Sequence, residues 1–337
     1  MQQNMAHDAE HDGAVRETAS DASQCKFSAV QMGYYEDPFA QYFVRSPSRC
    51  MPIINRGYYA RVAAVESLVR KFLVAEQLKK QVVILGAGLD TMYFRLKSSE
   101  LLANCEYFEL DFQDVTIQKV STIKRRKPLQ KLLGLEAPEN FIAAISSDHT
   151  ELHVPGYHLL PCDIRDLAVT TAKMEAAGIN SSVPTLFVSE CVLIYMEARY
   201  STQFVVWAAS YFDDVSFTLY EQILPDDAFG KVMMSNLKAR GCDLLSIYDF
   251  PTVEAQIARF TNKQYEMAQC WDMNKIYYNF LDPTERAKRE KLEIFDEMEE
   301  FYLFQAHYCI VVASKTTTSS GARALSLIES KPAQKRF

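Results

Sequence analysis

The sequence lacks an excess of basic residues, a long apolar run and a closely spaced cysteine pair. Its formal net charge of −7 argues against general nucleic-acid binding, which needs a basic surface. No apolar run approaches the roughly twenty residues of a membrane-spanning helix, and the polar N-terminus lacks the apolar centre of a secretory signal. The eight cysteines occur singly, mostly among apolar neighbours, which indicates reduced, buried thiols in an intracellular protein.

A metal site is not predicted either. His149, His153 and His158 are close in sequence, but no cysteine or aspartate accompanies them at ligand spacing. We interpret them as loop histidines. The basic run at 124–127 is interpreted as a solvated helix face, and a patch that attracts substrate is the alternative.

The chain is rich enough in apolar residues to form a sizeable core. They make up 48% of 337 residues, which suits one large α/β domain with insertions or two small ones. Residues 1–24 are polar and poor in aromatics, so a disordered tail is predicted there. The folded domain is placed at 25–315, and residues 316–337 are predicted to form a flexible tail.

The stretch at 81–90 organises the rest of the chain. Residues 82–85 are an unbroken apolar run, typical of a strand buried on both faces of a parallel sheet. Gly86 and Gly88 follow at once, where a tight strand-to-helix turn needs residues without Cβ. Thr91 stands where the dinucleotide fingerprint has its third glycine, which favours a smaller nucleotide-like ligand over a pyrophosphate cofactor.

A second predicted strand ends in an acid about twenty residues past the glycines. Asp111 follows Tyr107–Leu110 at the spacing expected for an acceptor of ribose hydroxyl groups. Glu109 is the reserve candidate, because residues two apart share a strand face. The alternative for both is an ordinary solvated carboxylate at a strand end.

The remaining pattern alternates strands with helices, which predicts βαβ units and a parallel sheet. A helix is predicted within 53–78, with Arg56 and Arg61 beside a tyrosine pair as a candidate anion site. Residues 224–264 are predicted as a helical insertion. A helix with an N-cap is predicted to start at Asp282 and to end near Phe304. Further strands are predicted at 157–161, 185–188, 215–221 and 306–314.

The residues resemble one family closely, the leucine carboxyl methyltransferases that esterify the C-terminal leucine of the protein phosphatase 2A catalytic subunit. The resemblance spans roughly residues 25–314. Leu89 and Ile164 differ at positions where the family varies, and residues 127–160 match poorly. The matching stretches are C-K at 25–26, N-R-G-Y-Y-A-R-V at 55–62, L-G-A-G-L-D-T at 85–91, Y-F-E-L-D-F at 107–112, D-I-R-D-L at 163–167, S-E-C-V-L-I-Y-M at 189–196 and F-D-E-M-E at 295–299.

The resemblance implies a class I methyltransferase: a Rossmann-like α/β fold, a mostly parallel seven-stranded sheet, and helical insertions that form a substrate lid. It also implies S-adenosylmethionine as the methyl donor. The cofactor-contact roles then fall on seven residues: Lys26, Arg61, Gly86, Asp111, Asp163, Ile164 and Glu190. Asp163 would accept from the adenine amino group while Ile164 packs on the ring, and Lys26 and Arg61 would hold the methionine carboxylate.

The implied substrate is the C-terminal tail of the phosphatase catalytic subunit, and we expect a cytoplasmic monomer without nucleic-acid or membrane partners. Residues 26–50 and 224–264 are the segments long enough to wall a peptide pocket. Methylation of a small carboxylic acid or another hydroxyl-bearing substrate is the alternative. A related family that acts on modified transfer RNA carries a propeller domain, and no propeller-like repeat is present here. An NAD-dependent oxidoreductase and a non-catalytic module fit the motifs less well.

The implied reaction needs no general base. An α-carboxyl group has a pKa of about 3.3–3.7, so it is ionised at neutral pH. Tyr195, with Arg61 or Arg56, would orient this carboxylate, and a purely structural role for Tyr195 is the alternative.

Overall fold

The computed structural model describes residues 2–76, 78–318 and 324–325, with side chains from residue 9 onward. Its strands form one eight-stranded sheet in the order β3-β4-β2-β1-β5-β6-β8-β7. The strands are β1 Lys80–Leu85, β2 Cys105–Asp111, β3 Leu152–Val154, β4 Tyr157–Pro161, β5 Thr185–Glu190, β6 Val215–Gln222, β7 Met267–Asp272 and β8 Tyr308–Ser314.

The five central strands, from β4 to β6, run parallel, and the outer strands β3, β8 and β7 pair antiparallel. This confirms the mostly parallel α/β sheet that the family resemblance implies. The predicted number of seven strands is one too few, because β3 is an additional edge strand that pairs with β4. The sequence reading also missed β7, which pairs only with β8.

Helices cover both faces of the sheet, and helical or turn segments fill most connections. The helices are α1 Gln2–Gln31, α2 Pro52–Val74, α3 Met92–Ser98, α4 Gln113–Arg125, α5 Lys127–Leu133, α6 Pro138–Ala144, α7 Leu167–Ala176, α8 Ala198–Tyr211, α9 Ala228–Ala239, α10 Val253–Thr261, α11 Met273–Lys275, α12 Pro283–Arg289 and α13 Met298–Ala306. Short 3-10 turns lie at Ala40–Tyr42 and Leu193–Tyr195, and a π-helical turn lies at Ile276–Phe280.

The core has two layers, one on each face of β1. Val82 and Ile84 belong to the layer that contains Leu68 of α2. Val83 and Leu85 belong to the layer that contains Phe204 of α8. Successive strand residues point to opposite faces, so a run apolar at every position fits a strand covered on both sides.

Helix α1 differs from the disordered tail predicted for residues 1–24. Its few apolar residues gave no sign of order, yet it is held by groups far away in sequence. His11 Nε2 lies 2.9 Å from the carbonyl oxygen of Asp243, and Asp12 forms an ion pair with Arg165. The helix therefore depends on tertiary contacts rather than on its own apolar face.

One other prediction needs correction near the C-terminus. The N-cap at Asp282 is confirmed, because its carboxylate accepts from the backbone N–H groups of Thr284 and Glu285. The helix that begins there ends at Arg289, and α13 is a separate helix. Of the predicted tail 316–337, only 316–318 and 324–325 are described, so the rest of that prediction lies outside the described residues.

Candidate functional site

A cavity of about 270 Å³ opens at the carboxyl ends of β1, β2 and β5, where open parallel sheets place their ligands. One face of α1, the end of β1, residues 190–195 and part of α9 form its walls. A side pocket of about 60 Å³ shares Gly86, Asp111, Val192 and Tyr195 with this main cavity. The two spaces therefore offer one elongated site.

The glycine turn after β1 lets the backbone form the floor of both spaces. Gly86 has a φ of +60°, and a Cβ built on it would lie 2.5 Å from Cγ2 of Val192. A side chain at this position would therefore strain the backbone and clash. The turn also places the backbone N–H of Gly88 2.6 Å from Oδ2 of Asp111, to which it donates.

Four charged side chains, each 11–15% exposed, meet at one end of the main cavity. We call Lys26, Arg61, Asp90 and Glu190 the charged quartet. Lys26 Nζ donates to Asp90 and lies 3.3 Å from Oε2 of Glu190. Arg61 Nε donates to the same Glu190 oxygen at 2.6 Å, and Nη2 donates to the Glu190 carbonyl oxygen at 3.3 Å. Helices α1 and α2 thus supply cations that the strand ends neutralise.

These pairs keep both carboxylates ionised. Burial alone would raise the pKa of Glu190, but the charges of Lys26 and Arg61 outweigh it and hold that pKa below its usual value. Burial opposes ionisation of Asp90 as well, and Lys26 and Arg95 lower the pKa of that carboxyl. Burial alone would lower the pKa of Arg61, whereas Glu190 raises it well above the usual value.

Two aromatic rings lie close to the Arg61 guanidinium. Its guanidinium carbon lies 4.8 Å from the ring centre of Tyr220 and 5.5 Å from that of Tyr58, within the range of cation–π attraction. Tyr195 also lines the main cavity and is buried. Burial raises the pKa of Tyr195, so its hydroxyl keeps its proton at neutral pH.

The side pocket presents carboxylates among apolar groups. Asp111 accepts from Gly88 and Phe112 backbone N–H groups, yet burial raises the pKa of its carboxyl to about 6. Asp163 is bound by Arg165, whose Nη2 also pairs with Asp12 of α1. Ile164 is buried beside them and lines the pocket.

The structure brings together all seven predicted cofactor residues, as well as Tyr195, around the two spaces. The two other candidates lie elsewhere. Glu109 does not line the site, because Lys119 and the Tyr157 hydroxyl bind its carboxylate in the core. Arg56 packs over the ring of Phe295 at 3.9 Å and donates to the Glu290 carbonyl oxygen, so it does not reach the cavity.

Sequence reasoning missed several residues of the site. Asp90 belongs to the quoted stretch at 85–91 and could have been found from that position. Leu237 and Arg240 were not named from the sequence, although they belong to the 224–264 insertion that was predicted to wall the substrate pocket. Both line the main cavity. Of the predicted 26–50 wall, Lys26 lines the cavity and residues 27–50 do not; α1 residues 15–23 take that place.

The other candidate regions carry no such geometry. Residues 124–127 are exposed at the junction of α4 and α5. His153 and His158 are not loop residues as predicted but oppose each other on β3 and β4.

Across the described ranges, no cluster of three or more His, Cys, Asp or Glu side chains is arranged to hold a metal. None of the helices described is long and apolar enough to cross a membrane.

The leucine carboxyl methyltransferase family model matches residues 14–209, more than half of the chain. The chain belongs to this family. A relative named leucine carboxyl methyltransferase 1 homolog, from Arabidopsis thaliana, is 42% identical over 92% of this chain and 91% of its own length.

Two further similarities differ in kind. The human protein named tRNA wybutosine-synthesizing protein 4 is 37% identical over 91% of this chain, which matches 45% of that protein. A putative methyltransferase from Thermobifida fusca superposes with a TM-score of 0.48 at 10% identity, over 78% of this chain and 88% of its own. That structural score is low, so the fold assignment depends on the strand order and the family match.

Proposed function

We propose that this methyltransferase transfers a methyl group from S-adenosylmethionine to the α-carboxylate of a protein's C-terminal leucine, and that the substrate is the protein phosphatase 2A catalytic subunit. The observation that carries this proposal is the pair of cations, Lys26 and Arg61, which are 11% and 12% exposed and lie at the carboxyl ends of the parallel strands. Two carboxylates, one from the cofactor and one from the substrate, need such cationic partners.

The residues present fit the cofactor. The side pocket has apolar walls, Leu110, Ile164 and Met196, and the Asp163 carboxylate at its edge, which suits an adenine ring with one amino group. Asp111 lies between the side pocket and the main cavity, in position to accept from ribose hydroxyl groups. When bound, S-adenosylmethionine supplies an electrophilic methyl group on a positively charged sulfonium.

The methionine moiety fits the other end of the site. The backbone at Gly86 offers close approach without a Cβ, and the charged quartet offers both signs of charge. With two cations and two carboxylates, the quartet is formally neutral. An incoming carboxylate therefore replaces one of the quartet's own carboxylates as the partner of Lys26 or Arg61. Glu190 and Asp90 can in turn accept hydrogen bonds from an ammonium group.

The chain's own residues orient the nucleophile rather than deprotonate it. The substrate carboxylate is ionised at neutral pH, since its pKa is about 3.3–3.7. Tyr195 can only donate to it, because burial keeps its phenol protonated. Burial likewise raises the pKa of the neighbouring Cys191 thiol to about 12. Arg61 and Tyr195 thus replace water around one carboxylate oxygen, and positioning of this kind can lower a barrier by up to about 7–11 kcal/mol.

A substrate series tests the proposal. Radiolabelled methyl transfer would be compared among the folded phosphatase subunit, its isolated tail, a tail without the terminal leucine and a tail with a C-terminal amide. We expect no transfer to the amidated tail, because the nucleophile is gone, and weak transfer without leucine. Transfer to an internal side chain of the amidated tail would contradict the proposal.

Two further substrates address the alternatives in the same assay. N-acetyl-leucine tests whether a small carboxylic acid suffices without the protein. Modified transfer RNA tests the activity that the name of the human relative suggests for that protein. Transfer to either at a rate equal to that of the phosphatase subunit would replace the proposed substrate.

A further inference from the structure

The cysteine in the C-K stretch at 25–26 has no role in the proposed reaction, yet its sulfur has a close neighbour. Sγ of Cys25, on α1, lies 3.7 Å from Sγ of Cys50, which stands two residues before α2. Both side chains are half-buried, whereas Cys105, Cys162 and Cys309 are buried. The two thiols therefore combine mutual contact with partial access from solvent.

Hydrogen bonds hold the two chain segments in place. Ser28 Oγ, one turn after Cys25, accepts from the backbone N–H of Cys50 at 2.8 Å. Gln24 Nε2 donates to the Ser48 carbonyl oxygen at 2.6 Å. Asn55 of α2 donates to the Cys50 carbonyl oxygen and accepts from Ser28 Oγ. The segment before α2 is thus fixed against α1 on both sides of the thiols.

We propose that Cys25 and Cys50 form a peroxide-sensitive pair whose disulfide weakens cofactor binding in the neighbouring cavity. This inference rests on the proposed function, since it places S-adenosylmethionine beside Lys26. The sulfurs need to approach by less than 2 Å to reach the bonding distance of about 2.05 Å.

The chemistry balances with a peroxide as oxidant. The sulfur of Cys50 attacks one peroxide oxygen, the O–O bond breaks, and a sulfenic acid and water form. The Cys25 thiol then attacks the sulfenic sulfur, its S–H proton leaves with the hydroxyl as a second water, and the S–S bond forms. Two thiols lose two electrons in total, and the peroxide is reduced to two waters.

Two short connections link the pair to the quartet. Lys26 is the next residue after Cys25, and its ammonium group contacts Asp90 and Glu190. Tyr58 interacts with the Cys25 thiol, lines the main cavity and lies beneath the guanidinium of Arg61. Moving the Cys25 sulfur toward Cys50 therefore disturbs both cations that would hold the methionine carboxylate.

The experiment treats the full-length protein with hydrogen peroxide and measures S-adenosylmethionine affinity by calorimetry. We expect oxidation to raise the Kd about three- to tenfold, the size of a weakened hydrogen bond, and dithiothreitol to restore it. Peptide mapping should find a 25–50 cross-link with loss of two hydrogens. Cys50→Ser should bind S-adenosylmethionine normally when reduced and should keep that affinity after peroxide treatment. Cys50→Ala replaces this variant if Cys50→Ser folds poorly. Cys270→Ala, which alters the other neighbouring thiol pair, should respond like wild type.

The outcomes separate the inference from the proposed function. Failure of the reduced wild type to bind S-adenosylmethionine would contradict the proposed function itself. Normal binding by the reduced protein, combined with no 25–50 cross-link or with unchanged affinity after cross-linking, would overturn the inference alone. A peroxide response that persists in Cys50→Ser would also overturn it.

Discussion

The charged quartet and the side pocket lie at two ends of one site but are built differently. In the quartet, each carboxylate has cationic partners, and Glu190 binds both Lys26 and Arg61. In the side pocket, Asp111 has no cation within ion-pair distance among the described residues, and backbone N–H groups are its donors. Charge is therefore shared among several side chains in the quartet, whereas Asp111 has only backbone donors. The second carboxylate of the side pocket, Asp163, is paired with Arg165.

This difference predicts how each end responds to change. Removing one member of the quartet leaves its partners buried and uncompensated, so the loss extends beyond one contact. Removing one acceptor at the side pocket costs about one hydrogen bond to the ligand. The difference also extends to pH, because paired carboxylates stay ionised in mild acid while Asp111, with a pKa of about 6, takes up a proton.

The largest effect is expected from Arg61→Ala. This change leaves Glu190 buried with Lys26 alone, and breaking a buried pair costs about 3–5 kcal/mol. We expect kcat/KM for methyl transfer to fall by a factor of about 10²–10³, measured with the phosphatase subunit as substrate. Thermal unfolding would be followed in parallel to separate catalysis from stability.

Arg56→Ala is the matched control for that variant. Arg56 is likewise an arginine of α2 and is buried, but it packs on Phe295 away from the cavity. The folded fraction of this control should keep the wild-type kcat/KM even if its melting temperature falls. Equal losses of kcat/KM in the two variants would mean that the quartet has no special part in transfer.

Smaller effects are expected from Asp111→Ala and Asp163→Ala. Each removes one acceptor for the cofactor, so S-adenosylmethionine should bind more weakly by about 1–3 kcal/mol, as measured by calorimetry. Asp166→Ala is the control, because Asp166 caps α7 through the Val169 N–H in the same loop as Asp163. Unchanged affinity in either test variant, with circular dichroism intact, would remove that residue from the cofactor site.

The same comparison explains which residues of the site could be predicted from the sequence. The strand ends that carry Gly86 and Asp111 are marked by local patterns, an apolar run followed by glycine or by an acid. Glu190 was predicted from the family resemblance. All three line the main cavity. The partners of these groups were harder to predict, since Lys26 and Glu190 are 164 residues apart. Such a pair follows from the fold, and no local spacing indicates it.

The fold shows the same limit at its edges. Strand β4 was predicted at its observed bounds, because its apolar residues lie between clear turns. Strand β7 was missed: M-A-Q-C-W-D has no β-branched residue and is set in place by pairing with β8. Residues 2–24 of α1 were predicted as disordered because their order depends on Arg165 and on residues 240–243, which lie more than 100 residues further along the chain.

A still smaller effect is expected when pH alone is changed in the binding experiment. Below about pH 6, Asp111 is protonated in the free protein and must lose that proton to accept ribose hydroxyl groups. The Kd for S-adenosylmethionine should therefore rise as pH falls, by up to about tenfold per pH unit below 6. Calorimetry between pH 5 and 7.5 would measure this slope. Asp111→Asn should bind weakly but without the slope, and an unchanged slope in that variant would assign it to another group.

Changing the pH is expected to have no effect on the rate of the chemical step itself. With cofactor and substrate saturating, Asp111 is held in its ionised form, the substrate carboxylate is ionised, and Tyr195 keeps its proton because burial raises its pKa. No group that the proposed mechanism uses then titrates between about pH 5.5 and 8. Single-turnover rates should be nearly flat across this range, while the binding affinity changes in its acidic part. A tenfold rise in rate per pH unit, with fold and saturation verified at each pH, would reveal a catalytic base. The proposed mechanism, in which Arg61 and Tyr195 only position an ionised carboxylate, would then be wrong.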